Sequence, residues 1–241
     1  MKLLLRILYQ PYKWIVFGPF MVCTTFVMGA SAIGCATLAG PRAASIFGVV
    51  WARLNSWATP ILVQTRGKEN IDKNQSYVIV SNHQSQYDIF VLYGWLGIDF
   101  KWVMKQELRK VPALGVACER IGHIFIDRSN TEAALRSLDD AKSKIVNGTS
   151  VIFFPEGTRS RKRKLGKFKK GAFRMAIDLG IPILPITISG TREILPTQST
   201  ALFPGRATMT IHPPLDTSGF DHQHIRALMD TTREIIDSVP R

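Results

Sequence analysis

Two patterns of apolar and polar positions divide the chain near residue 65. Before it, no charge interrupts residues 14–41. At 1.5 Å per residue, roughly 20 helical residues cross the hydrocarbon core of a bilayer, so this stretch predicts a helix long enough to span one. Gly18-Pro19, Gly29 and Gly34 are its candidate breaks. Residues 43–63 form a second, amphipathic stretch, with Arg53 placed to snorkel from an interfacial helix. A single span and a helix pair dipping into one leaflet both fit. Lys2, Arg6 and Lys13 precede the uncharged stretch, and Arg42, Arg53, Arg66 and Lys68 follow it. Both flanks are positive, so charge sets no orientation. "ASA" at 30–32 resembles a signal cleavage site and "AIGC" at 32–35 a poor lipoprotein-like box. The apolar stretch is longer than the about 7–15 residues of a signal's apolar region. Residues 1–65 are therefore expected to remain as a membrane-anchoring helical segment.

From Arg66 the period changes. Apolar, β-branched runs at 77–81, 100–104, 121–127, 150–154, 183–189 and 207–211 predict strands. Helical spacing lies between several of them. Over 131–146, Ala134, Leu138, Ala141 and Ile145 share a face, Asn130 or Thr131 supplies a cap, and Asn147-Gly148 ends the helix. A second helix is predicted over about 169–179, closed by Gly180 ahead of Pro182. This alternation predicts an α/β fold over residues 66–241: a mixed, partly parallel sheet flanked by helices and preceded by the N-terminal helical anchor. Sites in such sheets gather in the loops at strand ends.

Composition adds a partner class. The 241 residues hold 31 Lys and Arg against 18 Asp and Glu, a net charge of +13. That favours an anionic partner: nucleic acid, a phospholipid surface, or an acidic or phosphorylated substrate. Zinc-finger spacing and RNA-binding signatures are absent. Cys23, Cys35 and Cys118 form no C-x-x-C pair, and their odd number fits free thiols in a reducing compartment.

Three stretches carry candidate chemistry. In "SNHQSQYD" (81–88), His83 follows a predicted strand and Asp88 lies five positions on. On one continuous helix the two would sit about 140° apart. With His83 in the loop and the helix starting at Ser85, Asp88 reaches back to the imidazole and fixes its tautomer. Ser85-Gln86-Tyr87-Asp88 also reads as a capping box, and on spacing alone capping comes ahead of catalysis. In "VIFFPEGTRSR" (151–161), Gly157 at a strand end permits close backbone approach, and Arg159 suits a phosphate. Third, Lys and Arg fill eight of the twelve positions 159–170. That run is a solvated loop over 162–164, and also a candidate contact for anionic lipid or an acidic carrier. Lys105, Arg120 and Arg128 lie near strand ends. His123 and Cys118 read as structural. His222 and His224 lack further metal-ligand neighbours, and H-E-x-x-H is absent, so no metal is expected.

Together these stretches resemble the glycerolipid acyltransferases. "NHQSQYD" matches their N-H-x-x-x-x-D motif and "FPEGTRSR" their F-P-E-G-T-R-S motif. "KQELRKVPALG" (105–115) fits the K-x-x-L-x-x-x-P-x-x-G pattern of the 1-acyl-sn-glycerol-3-phosphate (lysophosphatidic acid) acyltransferases. "GHIFIDR" and "ILPITIS" fit further blocks, so the likeness runs over about residues 66–215. The resemblance implies acyl transfer from acyl-CoA or acyl carrier protein to the sn-2 hydroxyl of lysophosphatidic acid, yielding phosphatidic acid, without a cofactor; the alternatives are an acyltransferase with another acceptor, glycerol 3-phosphate or another lysolipid, and a non-enzymatic, membrane-anchored basic binding protein. Carried onto this chain, it makes His83 the general base and Asp88 its orienting carboxylate. Glu156, Gly157, Thr158 and Arg159 become the acceptor site, with Lys105 and Arg128 as further phosphate contacts. It also implies attachment to the inner or cytoplasmic membrane, an active site facing the cytoplasm, and no nucleic acid partner.

Overall fold

The computed structural model describes residue 7 and residues 9–145, 147–160 and 164–240. Arg161, Lys162 and Arg163 of the basic run, and Lys2 and Arg6 of the N-terminal flank, lie outside the described residues.

The N-terminal apolar residues form one long helix followed by a second. Helical structure runs from Tyr9 to Ala39, long and apolar enough to cross a membrane by length and composition. Gly18-Pro19 does not break it. Proline has no N–H to donate and crowds the carbonyl a turn earlier. A π-turn over Lys13–Phe17 widens the helix just before Pro19 and lets it continue as α1, Gly18–Ala39. The turn comes at Gly40, at φ +87°, where Pro41 starts α2, Pro41–Ala58. A buried pair, Asn55 Nδ2 donating to Thr24 Oγ1 at 3.1 Å, joins the two helices.

Among the described residues, seven strands build one sheet in the order β1-β7-β6-β2-β5-β3-β4. They are β1 Ile61–Arg66, β2 Val78–Ser81, β3 Phe100–Lys105, β4 Ile124–Ile126, β5 Ser150–Phe153, β6 Ile183–Ser189 and β7 Gly205–Ile211. Each pairing is parallel except β6 with β7. The sheet is thus mixed and largely parallel. β1 is the strand that the apolar pattern did not announce, because its residues read as the tail of the amphipathic stretch. The sheet begins at Ile61, ahead of the boundary expected between residues 65 and 66.

Side-chain alternation divides the core into two layers. Ile79, Ile152, Leu184, Ile186 and Ile188 face one side, packed with α3, Tyr87–Trp95. Val78, Val80, Val151, Phe153 and Ile183 face the other, packed with residues of α5, Thr131–Ala141, α6, Gly171–Leu179, and α7, Ile225–Asp237. The first helix predicted over 131–146 ends its α-turns at Ala141 and finishes as a 3-10 turn, Lys142–Lys144. Its cap is Asn130, whose Oδ1 accepts from Ala133 N at 3.1 Å.

The helical hairpin is docked on the α3 side. Arg53 Nε donates to Gly94 O at 2.8 Å, and Ser45 Oγ to Asp99 Oδ1 at 2.8 Å. Trp51 and Phe90 rings meet at 5.0 Å. α4, Leu114–Ile121, packs beside the hairpin, with Ala117 and Ile121 against Ala32 and Ala44. The last glycine of the K-x-x-L-x-x-x-P-x-x-G stretch is required here: a Cβ on Gly115 would stand 2.1 Å from Arg109 O.

Candidate active site

β2 and β5 are neighbours and parallel although some 70 residues separate them. Their C-terminal ends therefore open side by side, and the loop holding His83 meets the loop holding Glu156–Arg159.

The His83 loop is fixed by its neighbours. Asn82 substitutes for a strand residue: its Nδ2 donates to Ile188 O at 2.8 Å and its Oδ1 accepts from Ile188 N at 2.7 Å. Gln84 Nε2 also donates to Ile188 O at 2.9 Å. Ser85 Oγ donates to Leu195 O, and Thr197 Oγ1 to Gln84 O. The helix begins at Tyr87 rather than at the expected Ser85, but Asp88 still lies in its first turn.

Asp88 makes both contacts that the sequence left open, one to the imidazole and one to the helix start. Its Oδ2 stands 2.8 Å from His83 Nδ1 and accepts the N–H groups of Gln84 at 2.6 Å and Ser85 at 2.9 Å. The Ser85 contact is half of a capping box; Ser85 Oγ in turn accepts from Tyr87 N at 3.2 Å. Asp88 is fully buried, and the hydroxyl of Thr191 donates to its other oxygen. A carboxylate oxygen accepting two backbone N–H groups takes a third donor from the imidazole. That places the proton of His83 on Nδ1 and leaves the Nε2 lone pair as a base. The His83 side chain is 13% exposed, and its ring stacks on Phe154 at 3.9 Å and 11°.

The second loop divides into positioning and lining residues. Glu156 was expected among the substrate contacts, but both its oxygens are occupied by backbone. Oε1 accepts from His83 N at 3.1 Å and Oε2 from Gly166 N at 2.8 Å, and the residue is buried. It ties the histidine loop to the basic loop. Gly157 adopts φ +72°, where a Cβ would meet Lys169 Cε at 2.9 Å. Gly157 O accepts from Arg128 Nη1 at 2.8 Å. Ser160 N donates to His83 O, while Arg192 Nη2 donates to Ser160 O.

A cavity of about 610 Å³ opens at His83. Lys105, Arg128, Gly157, Thr158 and Arg159 line it together with His83, so five of the expected substrate residues share one space with the expected base. Arg159 is half-buried and makes no ion pair among the described residues, whereas Lys105 is exposed and paired with Glu107 at 2.7 Å. The cavity continues inward past Thr25, Gly29 and Gly48 of the hairpin to Tyr93, Cys118 and His123. The N-terminal helices thus form a wall of this cavity as well as a candidate anchor.

At its inner end burial disfavours the charged forms of Cys118 and His123. Burial pushes the Cys118 thiol up to about 12 and His123 down to about 3. His123 Nδ1 accepts from Trp102 N, so its proton sits on Nε2, against Tyr93 OH at 3.1 Å. This supports the structural reading of both residues. All three cysteines are free. His222 pairs with Asp178 at 2.8 Å and His224 with Asp221 at 2.8 Å, and no metal-binding cluster occurs among the described residues.

The sequence reading missed Asn82, Thr191, Phe154, Ser160 and Arg192. Asn82 and Phe154 sit inside the motifs, but only pairing across the sheet gives them roles. Thr191 and Arg192 lie outside those motifs, and no spacing connects them to His83.

Comparison with known proteins agrees with this geometry. The model of the acyltransferase family matches residues 62–189. A chloroplastic 1-acyl-sn-glycerol-3-phosphate acyltransferase of Brassica napus is 38% identical over 65% of this chain and 46% of its own length. The 1-acyl-sn-glycerol-3-phosphate acyltransferase of Pseudomonas aeruginosa is 32% identical over 87% of this chain and 83% of its own. The crystal structure of PlsC, the 1-acyl-sn-glycerophosphate (LPA) acyltransferase of Thermotoga maritima, superposes with a TM-score of 0.74 at 26% identity, covering 99% of this chain and 97% of that one. The chain spans about half the length of the plant relatives and most of the length of the two bacterial ones. With a matched family model over half its length and the His83–Asp88 pair at the mouth of a shared cavity, this chain belongs to the acyltransferase family.

Proposed function

We propose that this protein transfers an acyl chain from a thioester, on coenzyme A or acyl carrier protein, to the sn-2 hydroxyl of lysophosphatidic acid, producing phosphatidic acid. One observation carries the reading: an imidazole with Nδ1 held by a buried carboxylate and Nε2 free borders a cavity that is cationic at its mouth and apolar within. The names of the Brassica, Pseudomonas and Thermotoga relatives supply the acceptor.

His83 Nε2 takes the proton of the acceptor hydroxyl as its oxygen attacks the thioester carbonyl. The C–O bond forms, the tetrahedral intermediate collapses, and the C–S bond breaks. The departing thiolate recovers the proton from the imidazolium, which Asp88 stabilises meanwhile. A thiolate is a good leaving group, so neither a covalent enzyme intermediate nor a cofactor is needed. A positioned base contributes about 10²–10⁴ in rate. Arg159 offers a planar fork to the acceptor phosphate, with Arg128 and Lys105 nearby as further cations.

The acceptor is an amphiphile, so the cavity has to open on a bilayer. Phe20, Val22, Phe26 and Val27 of α1 and Ile46, Val50 and Trp57 of α2 are exposed. Leu108, which lines the cavity, is exposed as well, as are Val111 and Val116 nearby in the chain. The turn at Gly40 and the packing of α2 along α1 favour a helix pair set into one leaflet over a single span. The reading places the enzyme on the inner or cytoplasmic membrane, facing the compartment where thioester donors are made. It uses phospholipid, lysophosphatidic acid and the donor as partners and gives nucleic acid no part.

The test is acyl transfer by the purified full-length protein in lipid nanodiscs. A panel of glycerol 3-phosphate, lysophosphatidic acid and headgroup-bearing lysolipids is offered with each donor. Preferential turnover of lysophosphatidic acid is expected. Turnover confined to another acceptor, or none with either donor, overturns the reading.

A further inference from the structure

A second cavity, of about 640 Å³, lies on the opposite face of the sheet. Its volume falls within the roughly 300–1,000 Å³ of small-molecule sites. It is walled by residues of α5 and the start of α6, where Leu135, Leu138 and Ala172 join Ile126 and Phe153 to make an apolar floor. Its polar lining is cationic: Arg128, Lys169, Lys170 and Arg174, with His222 beside them and no carboxylate. Among the described residues Lys169 and Lys170 make no ion pair, and Arg174 approaches Asp178 only at 3.7 Å. Cations over an apolar floor, with Lys169 and Lys170 free of ion pairs among the described residues, fit an organic phosphate with an extended, uncharged arm.

The two cavities meet at the strand ends. Val103, Arg128, Phe154 and Gly157 line both, and Phe154 is the ring on which His83 stacks. A two-substrate transfer has to bring two molecules to one base from different directions. The first cavity has an apolar interior for a chain and Arg159 at its mouth for the acceptor phosphate. The carrier portion of the donor has to leave the reaction centre by another path.

We infer that the second cavity holds the phosphopantetheine arm of the thioester donor, its pantetheine portion over Ile126, Leu135 and Leu138 and its phosphate against Lys169, Lys170 and Arg174. This rests on the acyl-transfer reading above. The chemistry is common to coenzyme A and to the prosthetic arm of acyl carrier protein. The thiol end lies at Phe154, where the thioester carbonyl comes within reach of the acceptor oxygen. The Lys169 side chain lies over Gly157, where a Cβ would come within 2.9 Å of its Cε, so the donor side of the junction has room only for glycine.

Coenzyme A and holo-acyl carrier protein are titrated calorimetrically, in parallel, into the full-length protein and its Lys170→Glu/Arg174→Glu variant. Both side chains are exposed, so the fold is expected to survive, which the melting temperature checks; Lys170→Gln/Arg174→Gln is the milder second variant. Affinity for at least one donor is expected to fall about tenfold or more, as loss of charge-assisted contacts requires. In turnover, the donor KM should rise comparably while the acceptor KM stays within about twofold. Whichever carrier responds is the donor source, and either response supports the inference. Unchanged binding in folded variants, a rise in acceptor KM instead, or a wild-type protein that binds neither carrier overturns it. Binding does not depend on turnover. A protein that binds coenzyme A through Lys170 and Arg174 but acylates no lysolipid would keep this site and refute the acyl-transfer reading.

Discussion

Thr191 donates its hydroxyl to Asp88 Oδ1 from 103 residues away in the chain, and both side chains are fully buried. The bond completes a ring of donors about Asp88: an imidazole and two backbone N–H groups on one oxygen, a hydroxyl on the other. Thr191 touches no reacting atom, and it acts by fixing the plane of the carboxylate that aims His83. Thr191→Val keeps the shape and removes the donor. A hydrogen bond to a charged group contributes about 1.5–3 kcal/mol, so kcat should fall on the order of tenfold with both KM values little changed. Thr191→Ser should restore most of the rate. A loss of thermal stability with normal kcat would make the role purely structural.

His83→Ala should lower kcat by about 10²–10⁴ while circular dichroism and melting stay near those of the parent, because the ring ends in a cavity. Asp88→Asn should also lose most activity, since an amide can present its NH2 group to His83 and reverse the tautomer. In that orientation the same NH2 group also faces the backbone N–H groups of Gln84 and Ser85, donors against a donor, so this variant should melt earlier as well. Near-normal turnover by folded His83→Ala protein would end the base assignment.

Glu156 and Arg159, three residues apart, should fail differently. Glu156→Gln puts an amide NH2 against a backbone N–H of His83 or Gly166, a donor facing a donor. It should cost about 1–3 kcal/mol in denaturant unfolding and lower kcat without altering KM selectively. Arg159→Ala should raise the KM for lysophosphatidic acid and spare the donor, with Arg159→Lys recovering part of the loss. If Glu156→Gln instead shifts only the acceptor KM, its carboxylate serves substrate after all.

His123 couples stability to pH. Burial holds it down at about 3, whereas the unfolded histidine titrates near 6.5. Between these values the unfolded chain binds a proton that the folded chain refuses, so stability rises with pH across this window and is flat, for this group, above it. The slope from this residue approaches about 1.4 kcal/mol per pH unit. Denaturant midpoints at pH 4.5, 5.5 and 7 should show the decline on acidification, and His123→Gln should flatten it. Equal slopes in both proteins would count against the buried neutral imidazole.

The motifs point to His83, Asp88, Gly157, Thr158 and Arg159, and the fold gathers these residues at one cavity, because each motif spans a strand end and its loop and short-range chemistry is legible there. The apolar runs likewise announced β2 to β7: β2, β5 and β6 are buried on both faces and so apolar along their length, while β7 buries alternate residues. β1 was not legible. Leu62 is exposed and Gln64 and Thr65 are polar, a pattern shared with an interfacial helix tail. The backbone contacts of Glu156 were not legible for a related reason: a carboxylate at a strand end looks the same in sequence whether it meets a ligand or two backbone amides.

By itself the sequence determined the strand and helix periods, the apolar N-terminal helix, the cationic balance and the residues able to act as base and phosphate ligands. These follow from local spacing and side-chain chemistry. Tertiary structure alone decided that β2 lies beside β5, which sets His83 against Glu156 and Phe154. It also made the N-terminal hairpin a wall of the cavity, brought Thr191 to Asp88 and opened a second, basic cavity behind the same loop. Those relations depend on strand order and on which faces are buried together. Strand order is fixed by the packing free energy of the whole sheet, summed over contacts between residues far apart in the chain, and no short stretch of sequence encodes it.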